Sequence, residues 1–318
     1  MNRFAILLFV LVGMAVPMTV GPAQAQDGAV YPAAIFPFNE RGNGVRDFGP
    51  KISDLLFASL VINPELILVD RTDMKKILGE LELNLSGAVK ADEANKIGQM
   101  TGAKILISGT VIQVDKSIYL VARIVGTETS RILGASIKGK IDDELAPMVE
   151  KLAEKVAETI TKQSDKLVAK QVPKKDRIAE LKKKIKGDDL PSVFVKIKER
   201  HIGMATIDPA AQTEVEKFAA EVGFPVIDAK AGNKGQAAIY IAGEGFSEFA
   251  SRRDNLVAVK ARVEIKAIDR KTGKVIASDR QTALAVDLTE QIAGKTALQQ
   301  AAAILAERIL PKLTSDKK

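Results

Sequence analysis

Ala103 to Gly109 and Gln236 to Gly243 read as two versions of one strand, each an apolar run closed by glycine, with the glycines 134 residues apart. Further echoes follow in the same order. Leu120 to Ile124 returns as Val259 to Val263, and Arg131 to Ser136 returns as Gly273 to Ser278, the offset drifting to 142 at the serines as loop insertions would cause. Each half then closes with a helical stripe, Leu145 to Ile160 in the first and Ala297 to Leu310 in the second. Self-similarity on this scale predicts two related α/β (α+β) units in tandem, each a mixed β-sheet packed with helices. A length of 318 residues suits two domains of ordinary size.

The elements within each unit follow from local pattern. Ala33 to Phe38 reads as a short buried strand before the turn-rich Asn39 to Gly49. Pro50 opens a helix with Ile52, Leu55, Leu56 and Leu60 at helical spacing, and Asn63-Pro64 stops it. Leu66 to Val69 is a second strand. Asp73 is an N-cap for a helix carrying Ile77, Leu78 and Leu81, and Ser86-Gly87 breaks it before another helix that ends near Gly102. Lys104 to Ser108, Thr110 to Val114, Ser117 to Val125 and Arg131 to Lys138 read as four strands, with tight turns at Asp115-Lys116 and Thr127 to Ser130. The second unit opens with a strand over Ser192 to Ile197, a helix over Ala210 to Val222 and a strand over Pro225 to Ile227.

Residues 1–25 read as an export signal rather than as part of a fold. Arg3 precedes an apolar run from Phe4 to Val16 that is short for a membrane span, and Ala23-Gln24-Ala25 forms a small-residue cleavage site. The expected mature chain starts at Gln26, in the periplasm or associated with the outer membrane of a bacterial envelope. The domain division is then 26–160, a basic linker over 161–190, and 191–318.

Charge marks that linker. Residues 29–160 carry 16 basic and 18 acidic side chains, 161–190 carry 10 and 5, and 191–318 carry 20 and 16. Lys174-Lys175 and Lys182-Lys183-Lys184 lie between Pro173 and Pro191, with Ile178, Leu181 and Ile185 on one helical face. The segment reads as a solvated, partly helical spacer. Attraction to a membrane surface or an anionic envelope polymer is its other reading; nucleic acid is not expected as the partner of an exported chain.

Composition excludes many chemistries. With no Cys there are no disulfides, thiolate zinc sites, Cys nucleophiles or lipid-bearing cysteine, and a single His excludes multi-histidine metal centres. Aromatic residues are only 4%, with no Trp, which disfavours base-stacking platforms. Gly294-Lys295-Thr296 resembles the end of a phosphate-binding loop, but Thr289 stands where that loop needs its first glycine. The glycine-rich loops Arg41 to Gly44 and Gly232 to Gly235 lack dinucleotide-turn spacing. His201, near Asp208, could serve as an acid-base group, but a lone histidine reads better as a structural one. Asp142-Asp143 suits the start of the following helix, and Asp188-Asp189 reads as solvated. No catalytic, cofactor-binding or metal residues are expected, and the chain is read as non-enzymatic.

One family resemblance runs over roughly residues 31–160. It rests on Ala34-Ile35-Phe36-Pro37-Phe38, on Val69-Asp70-Arg71 followed by the Ile77 to Leu85 helix and Ser86-Gly87, and on Gly102 to Thr110. This ordered set resembles the family of the curli-secretion protein CsgG, whose relatives include flagellar outer-membrane accessory proteins and a periplasmic activator of cell-wall synthases. The second unit looks like a divergent copy. The resemblance implies an envelope protein that works by assembly and protein contact. Its partners are envelope proteins, and a homo-oligomer fits the same picture. The alternative it implies is a subunit of an oligomeric outer-membrane secretion channel. This chain departs from that alternative: it has no anchoring cysteine, the turns at Asp115-Lys116 and Thr127 to Ser130 leave no room for inserted membrane hairpins, and Asn39 to Phe48 matches no pore loop.

Overall fold

A computed structural model describes residues 30–70, 91–170, 172–185, 187, 189–202, 204–205, 208–228, 237–253 and 255–314. The expected signal segment, the helix around Ile77 to Leu85, the break at Ser86-Gly87, the loop Gly232 to Gly235 and Asp188 lie outside the described residues. The rest forms two sheet domains in tandem, as the repeated pattern requires.

The first domain is built on β1 (Tyr31–Arg41), β2 (Leu66–Leu68), β3 (Ile105–Val114), β4 (Ser117–Gly126) and β5 (Ile132–Lys140), in the sheet order β2-β1-β3-β4-β5. β1 pairs in parallel with β2 and β3, while β3, β4 and β5 form an antiparallel meander. Helices α1 (Phe48–Leu60) and α3 (Leu145–Leu167) cover one face, and α2 (Ala91–Thr101) covers part of the other. β1 is therefore apolar on both sides, with Ala33, Ile35 and Phe38 facing the larger core and Ala34 and Phe36 the smaller. The stripe Met148, Val149, Leu152, Val156 and Ile160 on α3 is buried throughout.

Two boundaries differ from the sequence reading for packing reasons. Residues 104–114, expected as two strands broken at Gly109, form the single strand β3 from Ile105. Gly109 does not interrupt the ladder; it makes room, since a Cβ there would lie 2.2 Å from the Phe38 ring and 2.3 Å from the Val121 carbonyl oxygen. β1 also runs past Phe38 to Arg41, with an irregularity in its pairing to β3 between Ile35 and Phe38. Pro37 has no N–H and sits at that irregularity, where a central strand can accept it. The Ser53 hydroxyl of α1 fills the gap by accepting from the Phe38 amide at 3.2 Å.

Residues 161–190 divide between the two cores. α3 continues past a non-helical Gln163 to Leu167, which is buried in the first domain. α4 (Lys174–Lys184) instead turns Ile178 and Leu181 into the second core, with Ile185 packed against it. Lys174 bonds Glu214 at 2.5 Å and Arg177 bonds Glu307 at 2.6 Å, while both cations lie over the Phe218 ring. The basic run thus docks through its apolar face and leaves its other lysines outside.

The second domain repeats the plan. β6 (Val193–His201) pairs in parallel with β8 (Val226–Ile227) and β9 (Ile239–Arg253), and β9, β10 (Leu256–Asp269) and β11 (Val275–Asp287) form the meander. The two-residue β7 (Met204–Ala205) adds to β6. Helices α5 (Ala210–Val222) and α6 (Glu290–Ile309) cover one face. β9, β10 and β11 are longer than the strands expected at Gln236 to Gly243, Val259 to Val263 and Gly273 to Ser278. Their extra length carries charged residues on the uncovered face, where cross-strand pairs such as Lys260–Glu248 at 2.9 Å replace apolar contact. Gly273, expected within the last strand, instead turns the chain with φ of +71°. The first domain covers the outer edge of β11: Gly102, at the end of α2, lies so close that a Cβ would sit 3.3 Å from the Ala283 carbonyl carbon.

Candidate functional site

His201 is the residue with the most chemical latitude, and the fold does place a hydroxyl and a carboxylate beside it. Its Nδ1 lies 2.8 Å from Ser247 Oγ on β9, and its Nε2 lies 4.0 Å from Glu290 Oε1 at the start of α6. Ser247 is fully buried, however, so no substrate carbonyl can reach its oxygen. Gly294 closes the ring in from the helix side, where a Cβ would lie 3.0 Å from it. The cluster braces β6, β9 and α6. Asp208 does not join it but pairs with Lys295.

The other sequence candidates that lie among the described residues make local contacts. Gly44, in the first glycine-rich loop, donates its amide to Gln113 at 2.6 Å, so the loop folds onto the β3–β4 turn. Asp143 accepts the Lys140 amide at 2.7 Å. Gly294-Lys295-Thr296 lies within α6. Among the described residues, no group of three or more acidic, His or Cys side chains could hold a metal ion.

Two capping carboxylates were not anticipated. Glu199 reaches from β6 to the start of α5 and accepts from the amides of Ala210, Ala211 and Gln212 at 2.8, 3.1 and 2.9 Å. Glu40 does the same from β1, accepting the Gly49 amide of α1 at 2.7 Å. Neither helix has a capping side chain of its own: Asp47 makes no cap bond, and Pro209 has no group to offer. That deficit, next to a glutamate at a strand end, was the available signal.

Among the described residues, strand edges and open sheet faces are the other surfaces available for contact. β2, β7 and β8 are two or three residues long, and α2 shields β11. β5 is nine residues long and forms the far edge of its sheet. Its hydrogen-bonding parity can be read from its contacts. Ser136 gives its carbonyl to Lys155 Nζ at 3.1 Å and Lys140 gives its amide to Asp143, so the even-numbered residues turn their backbone groups outward. Ile132, Gly134, Ser136, Lys138 and Lys140 are all exposed, as an uncovered edge requires. On the adjoining open face, Lys138 Nζ stands 5.5 Å from the Tyr119 ring centre.

Residues 36–140 match the family model described as curli production assembly/transport component CsgG, the family the first domain resembles in sequence. The match covers the whole of sheet one beyond the start of β1, including the β5 edge. No curated protein matches the chain. Among solved structures, the LpoB C-terminal domain from Salmonella enterica is 17% identical, covering 36% of this chain and 87% of that one with a TM-score of 0.31. Lipoprotein GNA1162 from Neisseria meningitidis is 14% identical over 42% of this chain and 98% of that one, at a TM-score of 0.29. The PelC dodecamer from Paraburkholderia phytofirmans is 8% identical over 42% and 87%, at 0.25.

Proposed function

We propose that this chain is an exported, non-enzymatic scaffold or assembly component of the periplasm or outer-membrane surface, acting through contacts with envelope proteins. The observation that carries the reading is the assembly/transport family match over residues 36–140, on a domain whose longest strand edge lies open. The full burial of Ser247, the hydroxyl bonded to His201, supports it from the chemical side. The division into 26–160, a basic segment over 161–190 and 191–318 belongs to the same proposal, with the outer lysines of α4 available to an anionic surface.

The channel alternative draws less support. Only residues 115–116 separate β3 from β4, and residues 127–131 separate β4 from β5. A membrane-spanning strand needs about 9–11 residues. β9 and β10 are long enough, but their uncovered face carries Glu244, Arg262, Glu264 and Lys266, which do not suit lipid.

The test is fractionation of the producing cell together with in-cell crosslinking of the full chain, followed by native mass in buffer and in detergent. Recovery in the periplasmic or outer-membrane fraction crosslinked to other envelope proteins is the expected result. A cytoplasmic location, or a large detergent-stable ring that conducts ions, overturns it.

A further inference from the structure

We infer that the β5 edge is a strand-addition site that takes an extended, acidic segment of a partner protein. The proposal deepens the scaffold reading and rests on it.

The backbone supplies the binding groups. β5 presents outward amides and carbonyls at Gly134, Ser136 and Lys138, spaced for a peptide laid alongside as a sixth strand. The Ser136 carbonyl accepts from the flexible ammonium of Lys155, and at the strand end the Lys140 carbonyl accepts the Asp143 amide at 3.1 Å, which leaves the stretch around Gly134 to Lys138 as the part open to pairing. A lysine in this position blunts an edge against indiscriminate pairing, yet its flexible stem lets it swing clear of an incoming strand.

Charge then selects the partner. Lys138 and Lys140 lie on β5, and Arg131 directly precedes it. Lys155 reaches it from α3, and Lys151, one turn earlier, lies on the same flank by helical spacing. Of the three acidic residues that follow the strand, Asp142, Asp143 and Glu144, Asp143 already holds the Lys140 amide, and all three lie beyond its last residue. A second copy of β5 would bring like charges together in the paired edge, which disfavours self-pairing. A segment with glutamate or aspartate at alternate positions would direct its carboxylates to the Lys138 side of the sheet while its backbone completes the ladder. Its intervening residues would face the side where Leu133 and Ile137 pack against the core.

The exported chain is titrated with a capped nine-residue peptide of alternating glutamate and valine, a lysine-for-glutamate version, and a version N-methylated at alternate residues. The acidic peptide is expected to bind and to protect the Gly134, Ser136 and Lys138 amides from exchange; the other two are expected to bind at least about tenfold more weakly. Ser136→Pro removes one outward amide without touching the β4 ladder and is expected to lose binding to a similar degree, about tenfold. The Lys138→Glu/Lys140→Glu double variant is expected to reverse the preference between the charged peptides. Equal binding of the N-methylated and parent peptides, or no binding of the acidic peptide, overturns the proposal whether or not Ser136→Pro folds. If Ser136→Pro folds and crosslinks the same envelope proteins as the parent chain, the edge site is overturned while the scaffold reading stands.

Discussion

Glu40 and Glu199 occupy the same position in their two domains. Phe38 faces Gly109 across β1 and β3, Ile197 faces Gly243 across β6 and β9, and each glutamate follows two residues later to cap the next helix. The amides of Phe38 and Ile197 are also both satisfied from that helix, by Ser53 Oγ at 3.2 Å and Gln212 Oε1 at 3.3 Å. Shared topology alone does not require such detail. It ties the tandem sheets together residue by residue.

The two caps differ in weight. Glu199 is buried and holds three helix amides, whereas Glu40 is exposed and holds one. Glu199→Gln is expected to destabilise the second domain by about 2 kcal/mol or more, since bonds to charged groups contribute about 1.5–3 kcal/mol each and a buried amide is left unmet. Glu40→Gln is expected to cost less than about 1 kcal/mol, the lower range for a cap. Denaturant unfolding of both variants checks the order; equal losses would contradict it.

Gly109 makes the sharpest steric prediction. The methyl group of Gly109→Ala would meet the Phe38 ring and the Val121 carbonyl oxygen, which is main chain and cannot swing away. A loss of about 3 kcal/mol or more is expected, at the upper end of overpacking costs. Gly134→Ala on β5 has its nearest atom at 3.6 Å and serves as the control, with little change expected. Thermal unfolding of the two variants separates them.

These cases show what pattern can and cannot convey. The α3 stripe was legible because its period of 3.6 survives one-sided burial, and Met148 to Ile160 have no second role. The full length of β9 to β11 was not, because their uncovered face mixes charged residues, such as Glu244 opposite Glu264, with apolar ones, such as Phe246 opposite Arg262, and so blurs the alternation. Gly109 reads locally as a breaker; only the Phe38 ring, brought in by β1 from distant sequence, gives it a purpose. At the candidate site, His201 stood out by composition. The burial of Ser247 and the closeness of Gly294 depend on three elements meeting, and the outward parity of β5 depends on Lys155 and Asp143.

The contact between His201 and Gly294 predicts a coupled pair. Gly294→Ala places a methyl group 3.0 Å from the imidazole and should force the ring or α6 to shift by a few tenths of an ångström. His201→Ala removes the ring, and with it the bond to Ser247. Combined, the two changes should cost about 1 kcal/mol less than their sum, because the added methyl then fills space that the ring has vacated. A double-mutant cycle by urea unfolding measures the difference. Strict additivity would mean that the ring and helix do not bear on each other.

Glu216 predicts a pH dependence of definite sign. Burial on α5 pushes its carboxyl above the ordinary value; the Gln212 hydrogen bond opposes this, Asp228 adds to it, and Lys196 opposes it. A raised folded-state pKa means that the folded chain binds the proton more tightly than the unfolded one. Between the ordinary and the raised pKa, the native state therefore holds more protons, and stability falls as pH increases through that window. Below the ordinary value both states are protonated, and the contribution is fully present. Glu216→Gln keeps a neutral side chain of similar shape at every pH and should abolish this drop. The informative quantity is the stability difference between the parent chain and Glu216→Gln across about pH 4 to 7, in which other carboxylates cancel. That difference should move against the parent as pH rises; a shift in its favour would place the folded pKa below the unfolded one.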